Sequence, residues 1–271
     1  MSQNPTSAKN NKGALLFIVL CATLFWLSNN PVFNPSSTVV DKSSELAQLK
    51  HRYAIDMDKG KTDDAIKELT RGIELDPQNP VPLRLRGSLY EQSGDLKAAA
   101  SDLDRALLLQ PADVDTLMAI AALQYKSKNY DQALLTYDKL TNLKGDKRAQ
   151  VVGLNGKALV HLSLDHPDLA QRQVKEAIAL DPFSVKAREI MGNVLQKRGD
   201  LRGAIDSYTA GLRIDRSSYG LYNNRALAYK KLNMYSECVA DLEALTRLKP
   251  QDKVLAERLA KVKAESKTQS K

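Results

Sequence analysis

Residues 80–111 read PVPLRLRGSLYEQSGDLKAAASDLDRALLLQP. An apolar run with helical spacing stands on each side of the Gly94–Asp95 step, and Pro111 closes the second run. Glycine can enter the left-handed conformation that ends a helix, and the Asp95 carboxylate can accept from the free N–H groups of the next one. Proline then stops that second helix, because it has no amide donor and restricts the residue before it. The stretch predicts two antiparallel helices. Gly87, Ala99 and Ala106 are small enough to let the paired backbones approach, while Leu103 fills the layer behind them.

The same arrangement recurs along the chain. Ala65, Ala99, Ala133, Ala170, Ala204 and Cys238 stand 34, 34, 37, 34 and 34 residues apart. Twelve residues before the last five of them come Gly87, Ala121, Ala158, Gly192 and Ala226; seven after all six come Gly72, Ala106, Leu140, Ala177, Gly211 and Leu245. Bulkier Leu69, Leu103, Tyr137, Val174, Tyr208 and Leu242 occupy the layer-filling slot. The three extra residues fall within 144–150. A helix pair cannot bury its apolar side alone, so pairs of this kind stack on one another.

This pattern resembles the tetratricopeptide repeat family over residues 46–252. The second unit carries Gly87, Tyr90, Gly94, Asp95, Ala99, Leu103, Ala106 and Pro111, and the sixth, GLYNNRALAYKKLNMYSECVADLEALTRLKP at 220–250, is nearly as close. The resemblance implies an all-α fold: a right-handed superhelical solenoid of six helix pairs (46–79, 80–113, 114–147, 151–184, 185–218, 219–252) followed by a capping helix and basic tail (253–271). Unit one departs most, with Tyr53 and Asp56 where the family has Gly and Tyr, so an irregular first helix is expected there. In the cap, Val254, Leu255, Leu259 and Val262 are expected to share one face. The resemblance further implies a docking surface for a protein or peptide partner and not a reaction centre.

Composition narrows the chemistry. The net charge is +8, of which +2 lies in residues 1–12 and +4 in 249–271, leaving a body of mixed sign without a basic stripe. Nucleic acid is therefore an unfavoured partner. Cys21 and Cys238 give neither a disulfide framework nor zinc spacing. The three histidines, His51, His161 and His166, belong to no metalloprotease motif, and no phosphate-cradling or nucleophile-elbow sequence occurs. The reading is a non-enzymatic protein without a cofactor. His161 reads as a packing side chain, His166 as a turn residue, Cys238 as a buried thiol, and the Tyr and Leu residues at helical spacing as core.

Near the N-terminus, residues 13–27 (GALLFIVLCATLFWL) carry no charge, follow Lys9 and Lys12, and lack small residues at a cleavage position. They read as an uncleaved signal-anchor, although fifteen residues rise roughly 22 Å as a helix against a hydrocarbon core of about 30 Å. The flanking lysines put the tail (1–12) inside and the repeats outside, on the extracytoplasmic side. Residues 28–45, rich in Pro, Ser and Thr, read as a flexible linker. A cleaved secreted or periplasmic assembly factor is the alternative.

The first helix of each unit is expected to line the concave surface. Its C-terminal half offers Asn193, Lys197, Asn224, Lys230, Arg258 and Lys261, amides and cations suited to a peptide backbone and to carboxylates. Some tetratricopeptide domains clamp a partner's C-terminal carboxylates with Lys, Asn, Asn, Lys and Arg. In that register this sequence has Glu189, Asn193, Asn224, Val254 and Arg258, so three of the five positions match.

Overall fold

The computed structural model describes residues 42–269. The tail at 1–12, the apolar stretch at 13–27 and nearly all of the linker at 28–45 lie outside the described residues. Among the described residues there are thirteen α-helices and no strand. None of these helices is long and apolar enough to cross a membrane. Contacts divide the chain into two compact bodies, the first ending at Pro77 and the second beginning at Gln78.

The first body holds α1 (Lys42–Asp58) and α2 (Thr62–Leu75). Contrary to the expected irregularity, α1 is continuous, and it begins four residues before the sequence boundary at 46. Leu49 of α1 and Ala65, Leu69 and Ile73 of α2 are buried and the two helices pack on each other, so the pair coheres even with Tyr53 in the small-residue slot. Ion pairs Arg52–Glu68 at 2.9 Å and Arg71–Glu45 at 3.3 Å bridge the two helices at their exposed edges.

The second body contains α3 (Pro80–Ser93), α4 (Leu96–Leu109), α5 (Val114–Lys126), α6 (Tyr130–Thr141), α7 (Lys147–Ser163), α8 (Pro167–Leu180), α9 (Val185–Lys197), α10 (Leu201–Ile214), α11 (Tyr219–Lys231), α12 (Tyr235–Leu248) and α13 (Lys253–Gln269). Each helix packs on its sequence neighbour, and α3, α5, α7, α9 and α11 also touch one another in succession. This is the stacked, superhelical arrangement of a helical-repeat solenoid, with the first helices forming one continuous row.

The turns follow from the sequence. Gly94 (φ 90°) and Gly199 (φ 84°) take the left-handed conformation. Asp95 then accepts from the Ala98 N–H at 3.0 Å, and Asp200 from the Gly203 N–H at 2.9 Å. In units three, four and six the same position is held by Lys128, Asp165 and Asn233, at φ of 59°, 61° and 58°. Those residues carry the steric cost of a Cβ that glycine avoids.

Inside each pair the expected small residues are buried: Ala99, Ala133, Ala170, Ala204 and Cys238. So are Leu103, Tyr137, Val174, Tyr208 and Leu242 in the layer. The approach is close at Gly156 and Gly192, where an added Cβ would stand 2.1 Å from Cε1 of Tyr137 and 2.2 Å from Cε1 of Tyr208. In the cap, Leu255 and Val262 are buried and Leu259 packs beside them, but Val254 is 70% exposed. Positions 255, 259 and 262 recur at one face of a 3.6-residue helix, and 254 lies about 100° away from 255.

Gly192→Ala should lower unfolding free energy by roughly 1–3 kcal/mol through overpacking against the Tyr208 ring. Adding Tyr208→Leu should recover part of that loss, as read by urea denaturation.

Candidate peptide-docking face

The row of first helices brings together residues far apart in sequence. The Tyr208 hydroxyl donates to Asn193 Oδ1 at 2.8 Å, and Asn224 Nδ2 donates to the same oxygen at 3.2 Å. Asn223 Nδ2 reaches Asn224 Oδ1 at 3.5 Å, and Arg258 Nη1 donates to Asn223 Oδ1 at 2.9 Å. A continuous polar chain thus runs from α9 through α11 to α13. The Asn193 oxygen is saturated by two donors, so its Nδ2 hydrogens are what it can still offer. Asn193 also lines an open pocket of about 390 Å³ with Gln196, Lys197 and Lys231.

Of the six residues expected from sequence, Asn193, Asn224 and Arg258 are joined by this chain. Lys197 and Lys230 are committed elsewhere: Lys197 pairs with Asp165 and Lys230 with Glu265, each at 2.9 Å. The Lys197 ammonium holds the Asp165 carboxyl below the usual carboxylate range. Lys261 is exposed on α13. Among the described residues, Arg258, Lys231 and Lys261 have no carboxylate within ion-pair distance. Glu189, which would repel an acidic ligand, is paired with Lys186 at 2.9 Å.

Two supporting features escaped the sequence reading. The first is the Tyr208 hydroxyl. A tyrosine in a slot that Leu or Val fills in four of the six units is the signal, because a buried phenol usually finds a hydrogen-bond partner. The second is Arg225, which holds α11 in rotation. Its Nη2 and Nε donate to the two oxygens of Asp241 at 2.6 and 2.9 Å, and its Nη1 donates to Thr209 at 2.8 Å. Tyr222 and Tyr229 flank the guanidinium, with ring centroids 5.8 and 5.7 Å from Cζ. Arg86 and Asp102 repeat this bidentate pair in unit two, at 2.7 and 2.8 Å. An Arg and an Asp sixteen residues apart, recurring 139 residues later, is the trace it leaves in the sequence.

Cys238 is buried in α12, with burial pushing its thiol above the ordinary range. His161 has a buried Nδ1 without a hydrogen-bond partner, and burial lowers its pKa. Its ring lies 6.3 Å from that of His166. Among the described residues no group of three or more His, Cys, Asp or Glu is placed to hold a metal ion.

A stack of two-helix units presenting such a row defines an α-helical repeat protein with a polar face. The chain belongs to the tetratricopeptide repeat family, whose sequence pattern matches residues 56–106, 84–147, 155–220 and 219–252. It is 28% identical over 181 residues to RNA polymerase II-associated protein 3 of Rattus norvegicus, covering 63% of this chain and 27% of that protein. It is 25% identical over 198 residues to the Hsp70-Hsp90 organizing protein of Triticum aestivum, covering 69% and 32%. The chain therefore spans about a quarter to a third of the length of these relatives. The fold is similar to that of PilW, a type IV pilus biogenesis factor, with a TM-score of 0.64 at 14% identity, covering 79% of this chain and 98% of that one.

Asp241→Ala, which strands the Arg225 guanidinium, should cost about 3–5 kcal/mol of stability. Arg71→Ala, which removes the exposed pairs to Glu45 and Glu74, should cost far less. Chemical denaturation of each variant gives the comparison. In a Cys21→Ser background, iodoacetamide should alkylate Cys238 only after denaturation, because the thiol is both shielded and protonated.

Proposed function

We propose that this protein is a non-enzymatic scaffold whose row of first helices holds an extended segment of a partner protein, with acidic residues of that segment over α11 and α13. The observation that carries this reading is the polar chain Asn193–Asn224–Asn223–Arg258, ending among the uncompensated cations Arg258, Lys231 and Lys261. Amide groups fixed by neighbours suit a peptide backbone, and cations without internal partners suit carboxylates. The stack is formed before the partner arrives, so the ordering cost falls on the partner segment. Membership of the tetratricopeptide family supports a protein partner. The apolar residues 13–27 would tether the scaffold to a membrane, with the repeats on the extracytoplasmic side; mass measurement of the mature N-terminus, with residues 13–27 kept, is the expected result.

A narrower reading is capture of a chaperone's C-terminal carboxylates. The Asn193–Asn224 bond and Arg258 stand in that register, and a relative is named as an Hsp70-Hsp90 organizing protein. Against it, Glu189 occupies the first clamp position and exposed Val254 the fourth.

Fluorescence anisotropy with a fluorescein-labelled Gly-Asp-Glu-Asp-Glu peptide separates these. Arg258→Ala with Lys261→Ala should weaken binding by about tenfold or more, and raised salt should weaken it further. Equal affinity of the free-acid and amidated peptides selects an internal acidic segment, whereas strong preference for the free acid selects the clamp. Unchanged affinity in the double variant would remove the acidic-segment assignment.

A further inference from the structure

The turns that join one unit to the next lie along one edge of the stack, because each pair is antiparallel and the pairs pack in succession. Contacts tie the last three of these turns together. A Cβ on Gly220, in the first turn of α11, would stand 3.3 Å from the Glu189 carboxylate of α9, and Lys249 Nζ, just after α12, lies 4.6 Å from the centroid of the Tyr219 ring. Large apolar side chains remain in water along this edge. Phe183, between α8 and α9, is 75% exposed; Ile214 ends α10, Leu248 ends α12, and exposed Val254 stands in the first turn of α13. Single exposed apolar residues need no explanation, but one at each of three successive joints forms a patch that does.

The last two joints are also cationic. Residues 213–219 and 247–254 hold Arg213, Arg216, Arg247, Lys249 and Lys253 against Asp215 and Asp252. Both carboxylates are engaged locally: Asp215 accepts from the Ser217 N–H and hydroxyl at 2.8 and 2.6 Å, and Asp252 from the Leu255 N–H at 3.1 Å. Among the described residues, Arg213, Arg216, Arg247 and Lys253 have no carboxylate within ion-pair distance. Leu108 is exposed on the same edge, yet its joint, 108–115, contains Asp113 and Asp115 and no basic residue. Apolar exposure and positive charge thus coincide at the C-terminal end of the edge.

That combination selects among anionic partners. Nucleic acid gains most from aromatic rings on which bases stack, and Ile, Leu and Val offer none. A short acidic peptide would leave the apolar tips in water. An anionic bilayer satisfies both sets, since apolar side chains enter the boundary between headgroups and acyl chains while Lys and Arg meet the headgroup phosphates.

We infer that this edge, from the turn before α9 to the first turn of α13, is a docking surface for an anionic lipid bilayer. Phe183, Ile214, Leu248 and Val254 enter the interface, and Arg213, Arg216, Arg247 and Lys253 hold headgroup phosphates. This contact is separate from the first-helix row and from residues 13–27, because an apolar tether does not require negative lipid whereas the edge does.

The test uses the full chain with Cys21→Ser and Cys238→Ala, Ala being the residue of that slot in the other five units. One new cysteine, either Gln251→Cys on the edge or Ser236→Cys near the opposite end of α12, carries an environment-sensitive nitrobenzoxadiazole dye; both positions are exposed. Vesicles are phosphatidylcholine alone or with about 30% phosphatidylglycerol. The Gln251→Cys label should brighten and shift to the blue with the anionic vesicles and not with the neutral ones, and the shift should fade as salt rises to about 0.5 M. The Ser236→Cys label should not respond. Arg213→Glu with Arg216→Glu and Arg247→Glu should abolish the shift without lowering Tm, since these cations have no internal carboxylate to lose. Phe183→Ser with Val254→Ser should diminish it. Equal response to both vesicles, equal response of the two labels, or an unchanged shift in either set of substitutions would overturn the inference. So would a shift produced by an RNA oligonucleotide and not by vesicles, which would assign the edge to nucleic acid. Flotation of the same samples with neutral vesicles reads residues 13–27 separately: its absence removes the tether and leaves the edge, and its presence without the anionic shift removes the edge alone.

Discussion

Close approach of two backbones within each helix pair is the constraint on which the rest of this fold depends. Interhelical distance is set by the side chains at the crossing, and here a residue no larger than Ala or Cys stands at the crossing of every pair. At Gly192 the approach is so tight that a tyrosine ring occupies the space of the missing Cβ. That contact also has a chemical outcome. It seats Tyr208 so that its hydroxyl meets Asn193 Oδ1, which fixes the amide that faces the neighbouring helix. A packing requirement is thereby converted into the orientation of an amide on the proposed docking face, and no loop is involved.

The fold was legible because a repeat writes its packing rules many times. Spacings of 34 residues, the Gly–Asp steps and the terminal prolines each state the same helix pair, so an error in reading one unit is corrected by the others. Where a residue acts alone, the sequence was silent. Val254 reads as apolar and so as part of the capping face, yet one residue of helical phase turns it outward. Lys197 and Lys230 read as free cations, but their acids, Asp165 and Glu265, come from a turn two helices earlier and from the cap. Long charged side chains find partners across the stack, and one unit's sequence does not contain that information. The expected irregularity of α1 failed for a related reason: burial of Leu49 against α2 outweighs two departures from the family pattern.

The buried pairs Arg225–Asp241 and Arg86–Asp102 show the cost side of the same design. A buried ion pair gives little net stability, since desolvation offsets most of the attraction. Its bidentate geometry does fix direction, however, and in α11 that direction leaves Asn223 and Asn224 to turn toward the first-helix row. Placed in the second and sixth units, the two pairs hold the solenoid's early and late helices to a defined rotation. Units three and five use weaker polar contacts at related positions, Thr136 to Gln124 and Ser207 to the Arg188 carbonyl.

Taken along the row, the chemistry is graded: apolar and charge-balanced at α5 and α7, amide-rich from α9 to α11, cationic at α13. On the proposed docking reading, a uniform face would bind many segments in many registers, whereas a graded one penalises displacement, because sliding a carboxylate toward Glu189 or an apolar side chain toward Arg258 leaves a desolvated group without a partner. The three-residue insertion matters for this reason. By extending α7 it brings Lys147 and Arg148 to the lining of a cavity among α5, α7 and α9, a local break in an otherwise regular row. Departure from periodicity, in a protein made of repetition, is where specificity can be stored.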